Sequence, residues 1–529
     1  MPTDPAVSPA STPAMRFLLG AVFLGAVDLS VISTLLLPIV RDLEQNTADL
    51  DRYAWVVIGY LLAYVAAIPI FGRLIDTVGL RASLATGLVI FLIGTVMTVT
   101  AGSLDSLILG RVVQGAGGGA ILPIAMAFVT TNMAVKDRLA GYGVVAAVDT
   151  LGWVLGPILG ALVVALDEEI SHSWRLAFAP NALLLGGFVV ALQRGEHGGL
   201  GPPSSGRPGG GGWLGIILLT GGVSLANLAL ASAGQLGTGG DGSGLRALGG
   251  TENPLTAFIP LFLSGAAVLL AAVWLNERRT SRPAFPAEMR GSRSFVAGIV
   301  VGLAVGAASA VVIATLPVYA ALRSTTQSPS SLTAILLTPH TLATAVAALL
   351  SGRLVHRAGL RRTIVVGLTA ATVGSLATAV ALDRTTSTAV VVPGLTLLGA
   401  GLGLSLGPIL ALGLTHIPER LAGSGASALL GARLLGATMG VSAITAFGTW
   451  RIQRLLTDVE PVPRVDGEST AEFFVRQAAY IDGTVVPRAV QAISEIYVLG
   501  AVVCLVTAIL LMRGTMMDGP TEPARPSPP

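Results

Sequence analysis

Long apolar segments recur along almost the whole chain, separated by short stretches that carry most of the charged residues. About fourteen of these segments have 18 or more residues, from residues 16–40 to residues 493–512. An apolar helix of about 20 residues crosses a hydrocarbon core about 30 Å thick. The pattern therefore predicts an all-α membrane protein with fourteen spans.

A sequence repeat divides these spans into two sets. The segment Phe71-Gly-Arg-Leu-Ile-Asp-Thr-Val-Gly-Leu-Arg81 returns as Ser351-Gly-Arg-Leu-Val-His-Arg-Ala-Gly-Leu-Arg361, each copy after the second span of its set. The copies are 280 residues apart, whereas six spans with loops need roughly 190 residues. The surplus has the size of two helices, so we expect two six-helix bundles with two further helices inserted between them.

The loops set the expected domain boundaries. In chain order these are a disordered cytoplasmic tail (1–15), the first six-helix bundle (16–194), a flexible Gly- and Pro-rich cytoplasmic linker (195–212), two inserted transmembrane helices (213–276), a second cytoplasmic linker (277–293), the second six-helix bundle (294–513) and a disordered cytoplasmic tail (514–529).

The last two helices are predicted to be longer than a bilayer requires. Helical periodicity continues beyond the apolar part of the thirteenth span until Glu460-Pro-Val-Pro463 stops it. The pattern restarts at the capping box Ser469-Thr-Ala-Glu472 and runs to Arg513, with a kink expected at Pro487. We expect residues 451–492 to form a periplasmic helical hairpin; an amphipathic pair lying in the membrane interface and a loose loop are the alternatives.

Composition and charge exclude other classes of protein. Charged residues make up 12% of the chain, against about a quarter in soluble domains. The net charge is only +3 and the basic residues are dispersed, which argues against a nucleic-acid partner. Loops on the side of the amino terminus hold 19 Lys and Arg residues and the opposite loops hold 11. The positive-inside rule therefore predicts that both termini lie in the cytoplasm.

The motifs of enzymes and ATP-driven pumps are missing from the sequence. Lys136 is the only lysine and does not follow a Gly-rich turn, so no Walker-type nucleotide loop is expected. Cys504 is the only cysteine, and no catalytic triad, paired carboxylates or metal-ligand spacing stands out. We expect neither an enzyme nor a cofactor or metal site.

Ionisable side chains inside the spans are the candidates for function, because charge at membrane depth is costly and faces a partner or a water-filled cavity. These are Asp28, Arg111, Asp149 and Arg433, with His340 as a neutral candidate. Asp28 and Arg433 lie at similar depth, some 16 to 18 Å from the helix starts, and come from opposite halves. We predict that they pair at the midplane, where transporters place substrate and ion sites.

Such a pair can couple a proton to movement. A guanidinium that approaches or leaves a poorly solvated carboxylate changes its proton occupancy, while the guanidinium itself stays charged. Protonation of Asp28 would then release Arg433 and let the halves rock. A static pair that fixes helix packing is the alternative. Arg111 has two possible roles, bracing carbonyls or handling protons, and His340 is either a proton relay or a hydrogen-bonded packing residue.

Two sets of glycines and charges suggest mechanical roles. The turn after the second span places opposite charges between two helices and fits a cytoplasmic latch, weaker in the second copy, where His356 replaces the acid. The latch residues are Gly72, Asp76, Gly79 and Arg81, and in the second copy Gly352, Arg357, Gly359 and Arg361. The fifth span has a smooth, bendable face formed by Gly143, Gly152, Gly156, Pro157 and Gly160, which packing alone would also favour.

These motifs resemble the major facilitator superfamily, specifically its fourteen-span drug:proton antiporters. The turn from Gly72 to Arg81 matches the loop signature, Arg111-xx-Gln114-Gly115 the fourth-span signature, and Gly143 to Gly160 the antiporter signature of the fifth span. Asp28-Leu-Ser-Val-Ile to Pro38 looks like the first-span signature. The resemblance implies two bundles of six helices, alternating access and export.

A closer likeness is to mycobacterial triacylglycerol exporters that work with a periplasmic lipoprotein. It rests on Ala432-Arg433-Leu434 through Gly440-Val441-Ser442 and on the long last helices, and it implies functional roles for Asp28 and Arg433. We therefore expect a proton-coupled exporter of a lipophilic molecule or lipid, with protons, membrane lipids and a periplasmic lipoprotein as partners. The alternatives are a multidrug:proton antiporter and a non-transporting scaffold or sensor.

Overall fold

The computed structural model describes residues 13–43, 50–166, 172–194, 212–236, 257–281, 283–323, 329–383, 387–457 and 468–513. All regular secondary structure in these residues is helical, and fourteen helical segments are long and apolar enough to cross a membrane. The predicted all-α class and the fourteen spans are confirmed. The predicted tails, the linker before residue 212 and the helix stop at residues 460–463 lie almost wholly outside the described residues.

The first set of six helices packs in three close pairs. These helices are α1 (Pro13–Asp42), α2 (Leu50–Val78), α3 (Leu80–Val99), α4 (Leu104–Asn132), α5 (Val135–Ala165) and α6 (Ala179–Gln193). Helix α4 packs against both α2 and α3, while α1 packs against α5. Glycines on α4 and α5 allow these close approaches, because a small side chain lets two helix backbones come together.

Two inserted helices follow, α7 (Trp213–Leu236) and α8 (Ile259–Arg279), and then the short α9 (Ala287–Gly291). Helix α7 packs on α8, on α2 and on the long helix α14 described below. Near the end of α8, the buried Glu277 carboxylate accepts hydrogen bonds from the backbone amides of Ala284, at 2.8 Å, and Phe285, at 3.0 Å. These bonds hold the chain that leads into the second set.

The second set repeats the packing of the first. Its helices are α10 (Arg293–Arg323), α11 (Pro329–Ala358), α12 (Leu360–Ala381), α13 (Thr388–Leu414), α14 (Ala422–Leu456), α15 (Thr470–Tyr480) and α16 (Val486–Met512). Helix α13 packs against α11 and α12, and α10 packs against α14. These contacts match those of α4 with α2 and α3 and of α1 with α5, as the sequence repeat predicts.

The helices at the end of the chain exceed the thickness of a bilayer core. Helix α14 has 35 residues, or about 52 Å at 1.5 Å per residue. The predicted capping box is confirmed, since Ser469 Oγ accepts from the Glu472 amide while the Glu472 carboxylate accepts from the Ser469 amide at 2.9 Å. Helix α15 has no buried residue and continues through a π-helical turn (Ile481–Val485) into α16.

The long helices at the end of the chain contain an irregular turn and are joined by an ion pair. The π-helical turn ends at Val485, two residues before Pro487, where the sequence predicts a kink. Arg451 of α14 donates two hydrogen bonds, 2.5 and 2.7 Å long, to the carboxylate of Glu495 on α16. A planar guanidinium and a carboxylate make such a two-point contact with defined geometry, so the pair fixes the register of α14 against α16.

We call the end of the bundle at which α1 begins the near face, and the end at which α1 stops the far face. At the far face, Asp42 accepts hydrogen bonds from Trp174 Nε1 and Arg175 Nη1, both at 2.7 Å, and contacts His172. Burial raises the pKa of the Asp42 carboxyl, but the hydrogen bonds from these three residues outweigh it and hold the pKa below its ordinary value. This carboxylate joins α1 to the turn before α6.

Candidate functional site

A fully buried ion pair lies inside the first set of helices. Arg111 of α4 donates from Nη1 to Asp28 Oδ2 of α1 at 2.9 Å, and both side chains are 0% exposed. The Arg111 guanidinium also lies over the ring of Tyr60, 4.2 Å from its centre. A buried charge pair is tolerated only when hydrogen bonds satisfy its remaining polar atoms.

Amide side chains supply those hydrogen bonds. Gln114 Nε2 donates to Asp28 Oδ1 at 2.8 Å, and Asn181 Nδ2 of α6 donates to the same oxygen at 3.4 Å. Gln114 Oε1 accepts from Arg111 Nη1 at 2.7 Å. The Gln114 amide nitrogen also donates to the Thr95 hydroxyl of α3 at 3.0 Å. The network therefore joins α1, α3, α4 and α6 around one carboxylate.

The predicted pair between Asp28 and Arg433 is wrong for this structure. Asp28 is enclosed by Arg111, Gln114 and Asn181, all from its own half of the molecule. Arg433 lies elsewhere, beside Asp149. Depth along a helix sets the height of a side chain but not the direction in which it points, so depth alone selected the wrong partner.

A second, looser ion pair joins the two halves. Arg433 Nη2 of α14 lies 3.7 Å from Asp149 Oδ2 of α5, with the side chains 27% and 10% exposed. Both residues line a cavity of about 60 Å³ between the two sets of helices. Apart from the pair, the wall is mostly apolar or aromatic and includes Leu29, Leu61, Tyr64, Ile68, Ile121, Trp153, Leu430 and Leu434.

The two pairs differ in a way that suits different tasks. The Asp28–Arg111 contact is short, fully buried and supported by amide hydrogen bonds, so it stabilises one arrangement of the first half. The Asp149–Arg433 contact is longer, borders a cavity and spans the halves. Any movement of one half against the other must change its length, and with it the cost of keeping the carboxylate charged.

His340 lies apart from both pairs. Its ring is 6% exposed on α11, and Nδ1 lies 3.1 Å from the Leu395 carbonyl oxygen of α13. It is not among the residues that line the cavity. This geometry favours the hydrogen-bonded packing role over the proton relay.

At the near face, the acid of the latch bonds to backbone amides of the other half. Asp76 accepts hydrogen bonds from the backbone amides of Gly423, at 2.8 Å, and Ser424, at 2.9 Å, and from Ser424 Oγ at 2.5 Å. It thus caps the first turn of α14, where a carboxylate is favoured by the unsatisfied amides and the helix dipole. Arg81 instead donates to the Leu192 carbonyl oxygen at 2.8 Å. Within the first copy, Asp76 and not Arg81 makes the hydrogen bonds that join the halves.

Glycines of the latch meet specific geometric demands. Gly72 faces Ser427 and the Gly423 carbonyl, so any side chain there would separate α2 from α14. Gly79 has a φ of 93° and its counterpart Gly359 has 87°, a backbone region that favours glycine. In the second copy, Gly352 packs near Ala140 of α5, Arg357 is exposed, and Arg361 donates to the Met512 carbonyl.

The glycines of α5 serve two interfaces. Gly152, Gly156 and Gly160 face α1, where added side chains would collide with Ala26, Ser30 and Thr34. Gly143 instead faces the Ala348 carbonyl of α11 in the other half. Pro157 lies within α5 between the glycines of the first interface. The motif therefore combines tight packing inside one half with close approach between the halves.

Three contributors to the site, Gln114, Asn181 and Tyr64, have no predicted role. Gln114 belongs to the fourth-span motif, whereas Asn181 and Tyr64 belong to no motif. A polar side chain inside an apolar span is itself a signal, because an unpartnered amide is costly in hydrocarbon. Counting amides and phenols together with charged groups would have identified all three.

Comparison with known proteins places the chain among transporters. The model of the Major Facilitator Superfamily matches residues 18–441. A triacylglyceride transporter of Mycolicibacterium hassiacum is 30% identical over 96% of this chain and 92% of its own length. A triacylglyceride transporter of Mycobacterium tuberculosis is 29% identical, over 95% of this chain and 94% of the relative.

Solved structures share the fold. The proton:xylose symporter XylE superposes with a TM-score of 0.54 at 13% identity, covering 92% of this chain and 94% of the symporter. The human organic anion transporter MFSD10 gives a TM-score of 0.55 at 17% identity, covering 93% of this chain and all of the other. At such low identity, these similarities concern the fold alone.

Proposed function

The chain belongs to the Major Facilitator Superfamily, and from this membership we propose that it exports a lipophilic molecule, of the triacylglycerol class, in exchange for protons. The chain is a multi-pass membrane transporter and not an enzyme. The substrate class comes from the relatives that carry the name triacylglyceride transporter. The proton coupling is proposed from the chemistry of the site.

The observation that carries the proposal is the Asp149–Arg433 pair across the cavity. A proton that binds Asp149 removes one charge of the pair, so Arg433 loses its partner and the halves can separate. When the proton leaves, the charge attraction returns and favours the paired arrangement. Each cycle then moves a proton inward for each crossing of substrate outward.

Alternating access supplies the movement. In the arrangement described here the near-face ends of the halves touch, through Asp76 on the first turn of α14 and through Gly143 against α11. The opposite arrangement requires these contacts to open. Transporters of this kind rock their halves around a site at the bilayer midplane, and we assign the Asp149–Arg433 pair to that site.

The remaining site residues have supporting roles in this proposal. Asp28 is a second proton carrier, and Arg111 sets its charge through the 2.9 Å contact. The amides around them keep Asp28 in one orientation in either protonation state, since an amide nitrogen can donate and its oxygen can accept. His340 contributes packing between α11 and α13.

At about 60 Å³ the cavity holds only small molecules in this arrangement, but the side chains that line it would suit a lipophilic substrate better than a highly charged one when the halves move apart. Its wall offers one ion pair among apolar and aromatic side chains, so further ionic groups on a substrate would be desolvated without partners. In the proposed hairpin, α15 carries exposed Phe474 and Val475, at 59% and 72%. We propose that this end of the hairpin passes the lipid to a periplasmic lipoprotein.

The proposed orientation places the near face in the cytoplasm of a bacterial inner membrane. The excess of Lys and Arg in loops on that side supports it. The far face, with the ends of α14 and α15, then projects into the periplasm, where an acceptor of exported lipid would stand.

A multidrug:proton antiporter is the second candidate. The specific observation in its favour is the close packing of Gly152, Gly156 and Gly160 against α1, the signature that the sequence shares with drug antiporters. Both candidates use the same proton step. They differ in whether the hairpin beyond the membrane is required, because a drug leaves into water without an acceptor.

Reconstitution tests the proposal directly. Purified protein is placed in liposomes with a fluorescent triacylglycerol analogue, and transfer of the analogue to acceptor liposomes is followed with and without an imposed pH gradient. We expect the gradient to accelerate transfer several-fold. Equal rates in both conditions would contradict proton coupling, and the absence of any transfer would favour the scaffold or sensor.

A further inference from the structure

The two sets of helices can be compared residue by residue, because the same close contacts occur in both. A side chain added at Gly115 of α4 would collide with the Tyr60 carbonyl oxygen of α2. In the second set, a side chain added at Gly399 of α13 would collide with the His340 carbonyl oxygen of α11. The counterpart of an α2 residue therefore lies 280 positions later in the chain, and that of an α4 residue 284 positions later.

Helices α1 and α5 follow the same rule. A side chain added at Gly152 of α5 would approach the Phe23 carbonyl oxygen of α1, and one added at Gly436 of α14 would collide with the Leu303 carbonyl oxygen of α10. The offset is again 280 for the first helix of each set and 284 for the fifth. The two residues of the ion pair between the halves are thus counterparts of each other.

The two halves differ in chemistry at equivalent positions near this ion pair. Leu29 of α1 and Leu61 of α2 line the apolar cavity. Their counterparts in the second half are Ser309 of α10 and Thr341 of α11. Two aliphatic side chains in the wall of the first half are therefore matched by two hydroxyl groups in the second half.

Thr341 lies on the side of α11 that faces the first half. Ala348 and Gly352 follow it by seven and eleven residues, a spacing that places all three on one helix face. The Ala348 carbonyl lies against Gly143 of α5, and Gly352 packs near Ala140 of the same helix. Thr341 therefore continues, toward the far face, the side of α11 that touches α5.

Ser309 lies on the side of α10 that carries the contacts with Arg433. It follows Gly302 by seven residues and Gly306 by three, so the three residues share one helix face. Both glycines lie against the backbone of Arg433. Ser309 and Thr341 each lie roughly 25 Å along their helices from the near face, so the two hydroxyl groups are at the same depth.

Both hydroxyl groups can exchange their present hydrogen bonds for bonds to a ligand. Ser309 Oγ donates to the Val305 carbonyl oxygen at 2.8 Å, and Thr341 Oγ1 donates to the Leu337 carbonyl oxygen at 2.9 Å. Each of these carbonyls also accepts the backbone bond of its helix, so it stays paired when the hydroxyl turns to another acceptor. Both side chains are half-buried.

We propose that Ser309 and Thr341 bind the ester carbonyl groups of the exported lipid, while its acyl chains lie against the apolar wall of the first half. This assignment rests on the proposed function and deepens it by naming the part of the lipid that each half holds. An ester carbonyl is an uncharged hydrogen-bond acceptor, which two neutral hydroxyl donors suit.

The surrounding charges favour a neutral lipid at this wall. Asp149 and Arg433 are paired with each other, so a phosphate or an ammonium group on the lipid would be desolvated without a partner of its own. In the arrangement described here the cavity of about 60 Å³ is far too small for such a lipid. Both walls therefore meet the lipid when the halves move apart, and a lipid bound in this way contacts both halves.

An ether analogue tests the role of the carbonyl groups. A trialkylglycerol with the same chains has ether oxygens in place of the esters and lacks every carbonyl. Purified full-length protein binds the fluorescent triacylglycerol analogue, and displacement by unlabelled triacylglycerol or trialkylglycerol is measured. The variants are Ser309→Ala and Thr341→Val. The control is Thr396→Val, whose half-buried hydroxyl donates to the Val392 carbonyl and whose counterpart, Val112, does not line the cavity.

We expect the wild type to bind the ester lipid at least about fivefold more tightly than the ether lipid, which is the effect of roughly one neutral hydrogen bond. Ser309→Ala and Thr341→Val should each reduce this preference to about twofold or less, because each removes one donor to the ester groups. Thr396→Val should keep the preference of the wild type.

Equal binding of the two lipids by the wild type would overturn the assignment, and so would a preference that survives in both variants or falls in Thr396→Val. Stronger displacement by a phospholipid with the same chains would assign the wall to a charged headgroup and overturn it too. Displacement by none of these lipids would overturn both the substrate class and this site. A protein that shows the ester preference but no gradient-driven transfer in liposomes keeps this site and loses the proton coupling.

Discussion

Arg433 of α14 lies 3.7 Å from Asp149 of α5, and this charge pair borders the cavity between the two sets of helices. The two charges lie on helices of different halves. The distance between them therefore changes when one half moves against the other. This relationship underlies the proposed coupling, because the same pair responds both to a proton and to movement.

The charge of Arg433 is predicted to matter more than its shape. Arg433→Lys keeps a cation beside Asp149 and should retain part of the gradient-driven transfer. Arg433→Met keeps a similar length without charge and should lose it, because an unpaired buried carboxylate binds a proton and stays neutral. The measurement is transfer of the fluorescent triacylglycerol analogue in proteoliposomes. Equal rates in the two variants would contradict the charge-pair role.

Breaking the Asp28–Arg111 pair should destabilise the protein. Asp28→Ala leaves Arg111 buried without its carboxylate, which typically costs about 3–5 kcal/mol. Asp28→Asn keeps the shape and part of the hydrogen bonding, and should cost less. Thermal unfolding of the purified protein measures both effects. The control is Asp105→Asn, at an exposed position in the first turn of α4. If this variant lost as much stability as Asp28→Ala, the loss could not be assigned to the buried pair.

The near-face latch should depend on the charge of Asp76. Asp76→Asn keeps an oxygen that can cap α14 but removes the negative charge favoured at the helix start, which is worth about 0.3–1 kcal/mol and so shifts the balance between open and closed near faces by up to about fivefold. Distances between spin labels on the near-face ends of α2 and α14 measure the shift. His356→Asn, at the exposed counterpart in the second copy, is the matched control. An unchanged distance distribution in Asp76→Asn would rule the latch out.

Acid should loosen the far-face cluster at Asp42. Because the folded state lowers the pKa of Asp42, its contribution to stability is complete above the unfolded value near 3.9 and is lost as the pH falls through the lower folded value. Thermal unfolding between about pH 2 and pH 6 should therefore show a smaller acid-dependent loss in Asp42→Asn than in the wild type. Parallel profiles for the two proteins would contradict this contribution.

The hairpin separates the two candidate substrates. Deleting residues 468–485 removes α15 and the π-helical turn but leaves residues 458–467 to connect α14 with α16. Lipid transfer to acceptors should fall to the level of empty liposomes, whereas efflux of a lipophilic cation such as ethidium should survive in a drug antiporter. Ser469→Ala, which removes only the cap of α15, should cost about 1 kcal/mol of local stability. It should reduce lipid transfer less than the deletion does.

Hydropathy and the repeat predicted the helices well, because both depend on the sequence within one element. The segment after Gly72 and its copy after Gly352 located the two halves, and Ser469 located the start of α15. The pairing of charges depends, in addition, on how the helices pack against one another. Successive residues on a helix turn by about 100°, so the packing of α4 against α1 decides that Arg111, and not Arg433, faces Asp28.

The partner of Asp76 shows the same limit. Its sequence neighbour Arg81 offers an opposite charge, yet the carboxylate binds the first turn of α14, some 347 residues away in sequence. Backbone amides carry no signature in the sequence. Contacts made by them become visible only when the two halves are assembled.

Gradient-driven transport by Asp149→Asn is the most direct test of the central claim. The asparagine keeps the size of the side chain and cannot be ionised, so the pair with Arg433 no longer responds to protons. With the fluorescent triacylglycerol analogue in proteoliposomes, we predict that the rate of transfer becomes the same with and without a pH gradient. A variant that keeps the full gradient stimulation of the wild type would contradict the claim that this carboxylate couples protons to export.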